Sequence, residues 1–260
     1  SKSSAGAVSI FVNDTNKLSK FKKDTSVFGS TTSKNNLENY ININLEKNLL
    51  LSTSVEYLKN FLNYVHKEKI EILEIHNRPH YVDLLKNSLN CKKVLFFHND
   101  PQKMQGSSSV RERINLIDNT DKIIFNSFWS KSRFLEGLPK SHNANKIDVI
   151  HQSTSKTIIE FQKKKKLISF VGKLNASKGY DVFGRAILKI LDKFPDWKSI
   201  VIGDEPRQKF FFKHKNLNHL GFKDNLYILN KLKEVSIAIV PSKWDEPFGR
   251  SSLEASSRGS

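Results

Sequence analysis

Leu167-Ile168-Ser169-Phe170-Val171-Gly172-Lys173-Leu174-Asn175-Ala176-Ser177-Lys178-Gly179-Tyr180 is the stretch that decides the fold. An apolar run of strand length stops at a glycine, and a polar loop with two lysines follows. A long amphipathic helix is then predicted near Tyr180–Phe194. Strand, tight loop and helix in that order build a mainly parallel sheet covered on both faces.

The alternation continues outward in both directions. Towards the C-terminus the pattern predicts strands at Ile200–Ile202, His219–Leu220 and Ile237–Val240. A helix is expected around Leu226–Val235, and a final one from near Phe248. Towards the N-terminus a first helix is expected from about Val8 to Phe21, with Val8, Phe11, Val12, Leu18 and Phe21 near one face. A strand at Thr25–Phe28 ends in Gly29 and a Ser/Thr/Asn-rich loop. Ser54 then precedes a helix containing Val55, Leu58, Phe61, Leu62 and Val65, with Glu56 early and Lys67 late, as the helix dipole prefers. Strands at Ile72–Ile75, Val94–Phe97, Ile123–Phe125 and Asp148–Ile150 alternate with helical segments near Tyr81–Leu89, Val110–Asp118 and Trp129–Leu138. The fold class is therefore α/β, with two Rossmann-like domains. Residues 1–152 form the first, 153–166 a linker and 167–260 the second. The run Lys163-Lys164-Lys165-Lys166 reads as solvated linker. No short-period repeat points to a solenoid.

Composition narrows the class. With 260 residues and 38% hydrophobic content, the chain can fill two modest cores. Its apolar runs fall well short of the roughly 18 residues a membrane-spanning helix needs. No secretory leader is read, although the chain starts at Ser1. One cysteine, Cys91, excludes an internal disulfide and suits a reducing, cytoplasmic setting. The formal charge of +17 is compatible with nucleic acid, anionic lipid or phosphorylated substrates, but the lysines are spread along the chain as in compositional drift.

Chemistry collects at the carboxyl ends of strands in such sheets. Four segments there carry candidate residues. Glu74-Ile75-His76-Asn77-Arg78-Pro79 and Phe96-Phe97-His98-Asn99-Asp100-Pro101 each put a His-Asn pair at a strand end. His76 reads first as an ordinary hydrogen-bonded loop residue, whereas His98 would stand at the lip of the sheet, able to hydrogen-bond a sugar hydroxyl. The loop Gly172–Gly179 has the ingredients of a phosphate site: glycines for close backbone approach, a helix start, and Lys173 and Lys178. It reads equally as a solvated turn, and it lacks the dinucleotide and Walker fingerprints. Lastly, Val240-Pro241-Ser242-Lys243-Trp244-Asp245-Glu246-Pro247-Phe248-Gly249-Arg250-Ser251-Ser252-Leu253-Glu254-Ala255 spaces two carboxylates across a Pro-Phe-Gly turn. Carboxylates accept paired bonds from vicinal diols of ribose or sugar. Glu246 and Glu254 are also the acids that a helix start favours.

This last segment resembles the retaining glycosyltransferases of family 4 (group 1), enzymes of the GT-B fold, whose signature is Glu, seven residues, Glu in a "P-S-x-x-E-P-F-G-x-x-x-L-E-A" setting. The lysine loop is similar to the family's "V-G-R-L-x-x-x-K-G" segment, with Lys173 where arginine is usual. "V-I-G-D" at Val201–Asp204 and "H-L-G-F" at His219–Phe222 fall between them in the family's order. "E-I-H-N-R-P" and His98 look like acceptor-domain features of members that build surface polysaccharides, and Ser3-Ser4-Ala5-Gly6-Ala7 looks like the loop after the family's first strand. That strand is missing, and the chain stops soon after the motif helix starts, so the resemblance implies a piece of a longer enzyme.

The resemblance also implies transfer of a sugar from a nucleoside diphosphate donor to an acceptor hydroxyl with retained configuration. Gly6, Gly172, Lys173, Lys178, Pro247, Phe248, Gly249 and Glu254 would bind the donor, Glu254 through its ribose. His98, Glu246 and Lys178 would carry the chemistry, and His76, Asn77 and Arg78 would face the acceptor. No Asp-x-Asp pair ends a strand, so no metal and no cofactor beyond the donor substrate is expected. A glycan or lipid-linked acceptor and a peripheral contact with anionic membrane at its inner face are the implied partners; nucleic acid is not. The alternative is a non-catalytic sugar- or nucleic-acid-binding module that uses the basic surface. Its candidate is Phe210-Phe211-Phe212 among Lys209, Lys213 and Lys215, which reads otherwise as a loop at a strand edge.

Overall fold

The computed structural model describes residues 6–31, 37–45, 52–66, 68–139, 144–208 and 210–260. Ser3-Ser4-Ala5, Lys67 and Lys209 lie outside the described residues. The chain divides into two compact units, Ser1–Gln152 and Ser153–Ser260. Among the described residues no helix is long and apolar enough to cross a membrane.

In the first unit, α1 (Ala7–Leu18) is followed by the short strands β1 (Val27–Gly29) and β2 (Tyr40–Asn42), which pair in parallel. Then come α2 (Thr53–Val65), β3 (Ile72–His76), α3 (His80–Leu85), β4 (Lys92–Phe97), α4 (Val110–Asn119), β5 (Lys122–Phe125), α5 (Phe128–Leu135) and β6 (Ile147–Val149). The last four strands form a parallel sheet in the order β3-β4-β5-β6. Its core includes Leu95, Phe97, Phe125 and Phe134, each at most 1% exposed. Phe97 and Phe125 stack at 5.2 Å while Phe134 of α5 packs against both. Burying one such ring contributes about 1.5–3 kcal/mol.

In the second unit, β7 (Lys165–Val171), α6 (Tyr180–Lys193), β8 (Lys198–Ile202), β9 (Leu217–Gly221), α7 (Asn225–Leu232), β10 (Val235–Ala238) and α8 (Arg250–Ser256) follow one another. The sheet is again parallel, in the order β10-β7-β8-β9. Strand alternation divides its apolar residues. Ile168, Phe170 and Val201 pack with Tyr180, Phe183, Ile187 and Leu191 of α6, whereas Leu167, Ile200 and Ile202 pack with Leu232 and Ala255. Both faces are covered, as the apolar runs required.

Several boundaries differ from the sequence expectation, each for a local reason. The first helix stops at Leu18 because Ser19 is extended, and Leu18 and Phe21 are exposed instead of sharing the buried face. The second helix is capped by Ser52, whose hydroxyl accepts the Val55 N–H, and so starts before Ser54. α3 is shorter than the expected Tyr81–Leu89. The expected Trp129–Leu138 helix ends at Leu135, just before Gly137 at φ 76°. β2 was not expected at all. Val235, expected in a helix, opens β10 fully buried. Lys165 and Lys166, read as linker, open β7 and pair with Glu234 and Asp196. Lys164 donates to the carbonyls of Leu232, Val235 and Arg258. Phe210 and Phe212 pack edge-on against Tyr180, leaving Phe211 alone exposed.

Candidate functional site

Strand order explains where the second unit's polar residues meet. The chain steps from β7 to β8 to β9 in one direction, then returns to lay β10 on the other side of β7. The loops leaving β7 and β10 therefore diverge at a topological switch point, the place where doubly wound sheets take their ligands. Gly172–Gly179 and Ile239–Gly249 are those loops.

They are held together closely. Lys243 N–H donates to the Ser177 carbonyl at 2.9 Å, and the Lys243 ammonium reaches Asp181 in the first turn of α6 at 2.7 Å. Gly179 precedes α6 at φ 70°, and a Cβ there would lie 1.9 Å from the Pro241 carbonyl oxygen. Only glycine satisfies both the backbone angle and the approach. Asn175 shapes the turn, its Oδ1 accepting the Lys178 N–H at 3.0 Å and the Ser177 hydroxyl at 2.9 Å.

The central contact is an ion pair between Lys178 and Glu246. Their side chains are 29% and 24% exposed, partly withdrawn from water yet open to a ligand. Ser242 Oγ donates to the same Glu246 oxygen at 2.8 Å, and the Lys178 ammonium lies 5.4 Å from the Trp244 ring centroid. Burial pushes the Glu246 carboxyl up, but Lys178, Ser242 and Trp244 together outweigh it and hold it below the usual carboxylate range. An anion arriving here meets a lysine already oriented by a carboxylate.

Glu254 is buried on α8, its Oε1 accepting from Asn225 Nδ2 and from Arg250 Nε, each at 2.8 Å. Gly249 enters α8 at φ 82°. Pro247 is buried and Phe248 half-buried. Lys173 is exposed just past β7, where its ammonium makes no ion pair among the described residues, and the Gly172 N–H donates to the Ile202 carbonyl. Lys178 and Glu246 thus meet directly, whereas Glu254 and Lys173 each stand apart from that pair. Among the described residues no three His, Cys, Asp or Glu side chains gather as metal ligands would.

The first unit puts a polar residue directly after β3, β4 and β5 of its main sheet, and His151 and Gln152 come just past Ile150 after β6. Asn77, after β3, is buried in the left-handed region at φ 58°. Its Oδ1 accepts the N–H groups of His98 and Asn99 at 3.1 and 3.2 Å. Such a backbone costs of order 1–3 kcal/mol and persists where neighbours over-determine it. His98, after β4, is buried with both ring nitrogens engaged, by His76 at 3.2 Å and Gln152 at 3.3 Å. Burial, with the nearby His76, pushes His98 down to about 3, so it is neutral at physiological pH. Asn126, after β5, donates to the His98 carbonyl at 2.9 Å and accepts from Ser130 at 2.8 Å. His151 and Gln152 follow β6. Arg78 is exposed and donates to the Asn77 carbonyl, and Phe11 of α1 sets its ring 4.9 Å from His98. Gly6 caps α1, its carbonyl accepting the Ile10 N–H.

Sequence reasoning passed over Asn175, Asn225, Asn126 and Gln152. Asn126 and Gln152 carried the signal that singled out His98, a polar side chain just past an apolar strand. Asn225 carried none, because its partner is 29 residues away.

Residues 151–260 match the family model described as "Glycosyl transferases group 1". The chain is 24% identical over 222 residues to "Putative glycosyltransferase YtcC" of Bacillus subtilis (strain 168), covering 73% of this chain and 54% of that protein. It is 27% identical over 205 residues to an "Uncharacterized 41.2 kDa protein in cps region" of Klebsiella pneumoniae, covering 74% and 51%. The chain therefore spans about half the length of the curated relatives it matches. Similar solved structures include Anabaena Alr3699/HepE in complex with UDP-glucose, at 15% identity and TM-score 0.57, covering 78% of this chain and 61% of that one. Sucrose-phosphate synthase of Thermosynechococcus elongatus gives 15% identity and TM-score 0.60, covering 83% and 62%. These neighbours are glycosyltransferases with two Rossmann-like domains, and the likeness is one of fold.

Proposed function

We propose that this chain works in an enzyme that moves a sugar from a nucleoside diphosphate sugar to an acceptor hydroxyl with retention of configuration. The observation that carries the reading is the Lys178–Glu246 pair at the β7/β10 switch point, beside a helix N-terminus and within a region matching group 1 glycosyl transferases.

The bond between the anomeric carbon and the diphosphate oxygen breaks, and negative charge builds on the departing diphosphate. Lys178, Lys173 and the N-terminus of α6 would stabilise it; one oriented donor in such a site is worth about 3–4 kcal/mol. Glu246, with the backbone of Phe248 and Gly249, would hold the donor sugar, and Glu254 the ribose hydroxyls. Asn225 and Arg250 keep that carboxylate in one orientation. Neutral His98 would hydrogen-bond the acceptor hydroxyl, with His76, Asn77 and Arg78 on the acceptor side. Donor charge is met here by protein cations, without a metal or added cofactor. The acceptor class we favour is a surface glycan or glycolipid, in keeping with the cps region in the name of the Klebsiella relative.

Thermal unfolding with UDP, GDP, ADP and dTDP tests the reading. One of them at a hundredfold its Kd should stabilise the chain by about 2.7 kcal/mol. No stabilisation by any of the four would overturn it.

A further inference from the structure

We infer that Trp244 is a positioning residue, whose indole face holds the Lys178 ammonium beside Glu246 and leaves its remaining N–H groups for a diphosphate. That role rests on the function proposed above; the contact itself does not. A lysine stem is long and freely rotating, and confining it costs side-chain entropy that one partly exposed ion pair seldom recovers. Lys178 has two holds instead of one, the Glu246 carboxylate and the Trp244 ring, whose centroid lies 5.4 Å from the ammonium. A ring face attracts a cation through its quadrupole, and indole does so most strongly. A side-chain hydrogen bond also joins Trp244 to Glu246, so one indole engages both members of the pair.

The loop fixes Trp244 from both sides. The Lys243 N–H donates to the Ser177 carbonyl at 2.9 Å, and its ammonium donates to Asp181 at 2.7 Å. Ser242 Oγ donates to Glu246 at 2.8 Å, and Pro247 is buried. Trp244 itself is 38% exposed, so its ring faces the charged pair and solvent more than any core.

Donor arithmetic gives the consequence. An ammonium carries three N–H donors. Among the described residues the Lys178 ammonium has Glu246 as its hydrogen-bond acceptor, and the ring takes the positive charge without using a donor. Diphosphate oxygens can therefore accept the remaining donors while the ammonium stays over the ring and against the carboxylate.

Titration of UDP, GDP, ADP and dTDP into the 260-residue parent, Trp244→Leu and Trp244→Phe tests this. Trp244→Leu should weaken the nucleotide that binds by about three- to tenfold, and Trp244→Phe, which restores a ring face, should recover most of that loss. A second measurement needs no ligand. The chain has three tryptophans, so Trp129→Phe with Trp197→Phe leaves Trp244 as the sole emitter, and its fluorescence should change when Lys178→Met is added. Unchanged emission, equal losses in the Leu and Phe variants, or a Trp244→Leu affinity equal to the parent's would overturn the role of Trp244 and leave the diphosphate site standing. Failure of all four nucleotides to bind the parent would instead overturn the proposed function, and the emission would still decide whether the indole holds the ammonium.

Discussion

Replacing His98 should flatten the acid dependence of stability, by an amount the structure sets. Burial, with the nearby His76, lowers the imidazole from an ordinary 6.5 to about 3. Below 6.5 the unfolded chain binds a proton that the folded chain refuses, so stability is full above that value and drains away as pH falls towards 3. Each pH unit in that window costs about 1.4 kcal/mol, so acidifying from about pH 7.5 to about pH 5 should remove about 2 kcal/mol through this one residue. For a unit of this size that corresponds to a fall of roughly 4–8 °C in Tm. His80 and His219 are also held low by burial and act in the same direction, so the informative quantity is the difference between parent and variant. Differential scanning calorimetry of the parent and His98→Gln over that range supplies it. His98→Gln should lose about 2 kcal/mol less on acidification. Parallel curves would refute the claim that His98 is buried neutral in the folded state.

Other substitutions probe the same scaffolds. Asn77→Ala keeps the left-handed backbone but strands the N–H groups of His98 and Asn99, which should cost about 2–4 kcal/mol in urea denaturation. Gly179→Ala forces a Cβ against the Pro241 carbonyl; it should destabilise the second unit and weaken nucleoside diphosphate binding together, as seen by calorimetry and titration. Asn225→Ala leaves the buried Glu254 oxygen with Arg250 alone and should cost about 1.5–3 kcal/mol in thermal unfolding.

Most of the architecture was legible because it follows from periodicity. Leu167 and Ile168 point to opposite faces of β7, and both faces are apolar, which is the mark of a strand covered by helices on each side. β2 escaped because Tyr40–Asn42 sits among asparagines, and its pairing with β1 comes from tertiary packing of Ile43 and Phe28 rather than from any local pattern. Lys164 escaped for a related reason. A lysine run reads as solvated, yet the carbonyls that hold this ammonium belong to α7, β10 and the C-terminal turn. The loops bearing Lys178 and Glu246 were visible, but the meeting of those side chains depends on β10 lying beside β7, and strand order is not written in composition or spacing. The His98 network was half visible: the histidines and Asn77 stood out, while Asn126 and Gln152 carry the same strand-end signal but meet His98 across long sequence separations.

The most direct measurement is isothermal titration of UDP, GDP, ADP and dTDP into the parent chain and into Lys178→Ala. A diphosphate site at the β7/β10 switch point predicts saturable binding of one of them to the parent, weakened at least about tenfold, or 1.4 kcal/mol, by the substitution. Equal affinity in the two proteins would mean that Lys178 does not hold the diphosphate.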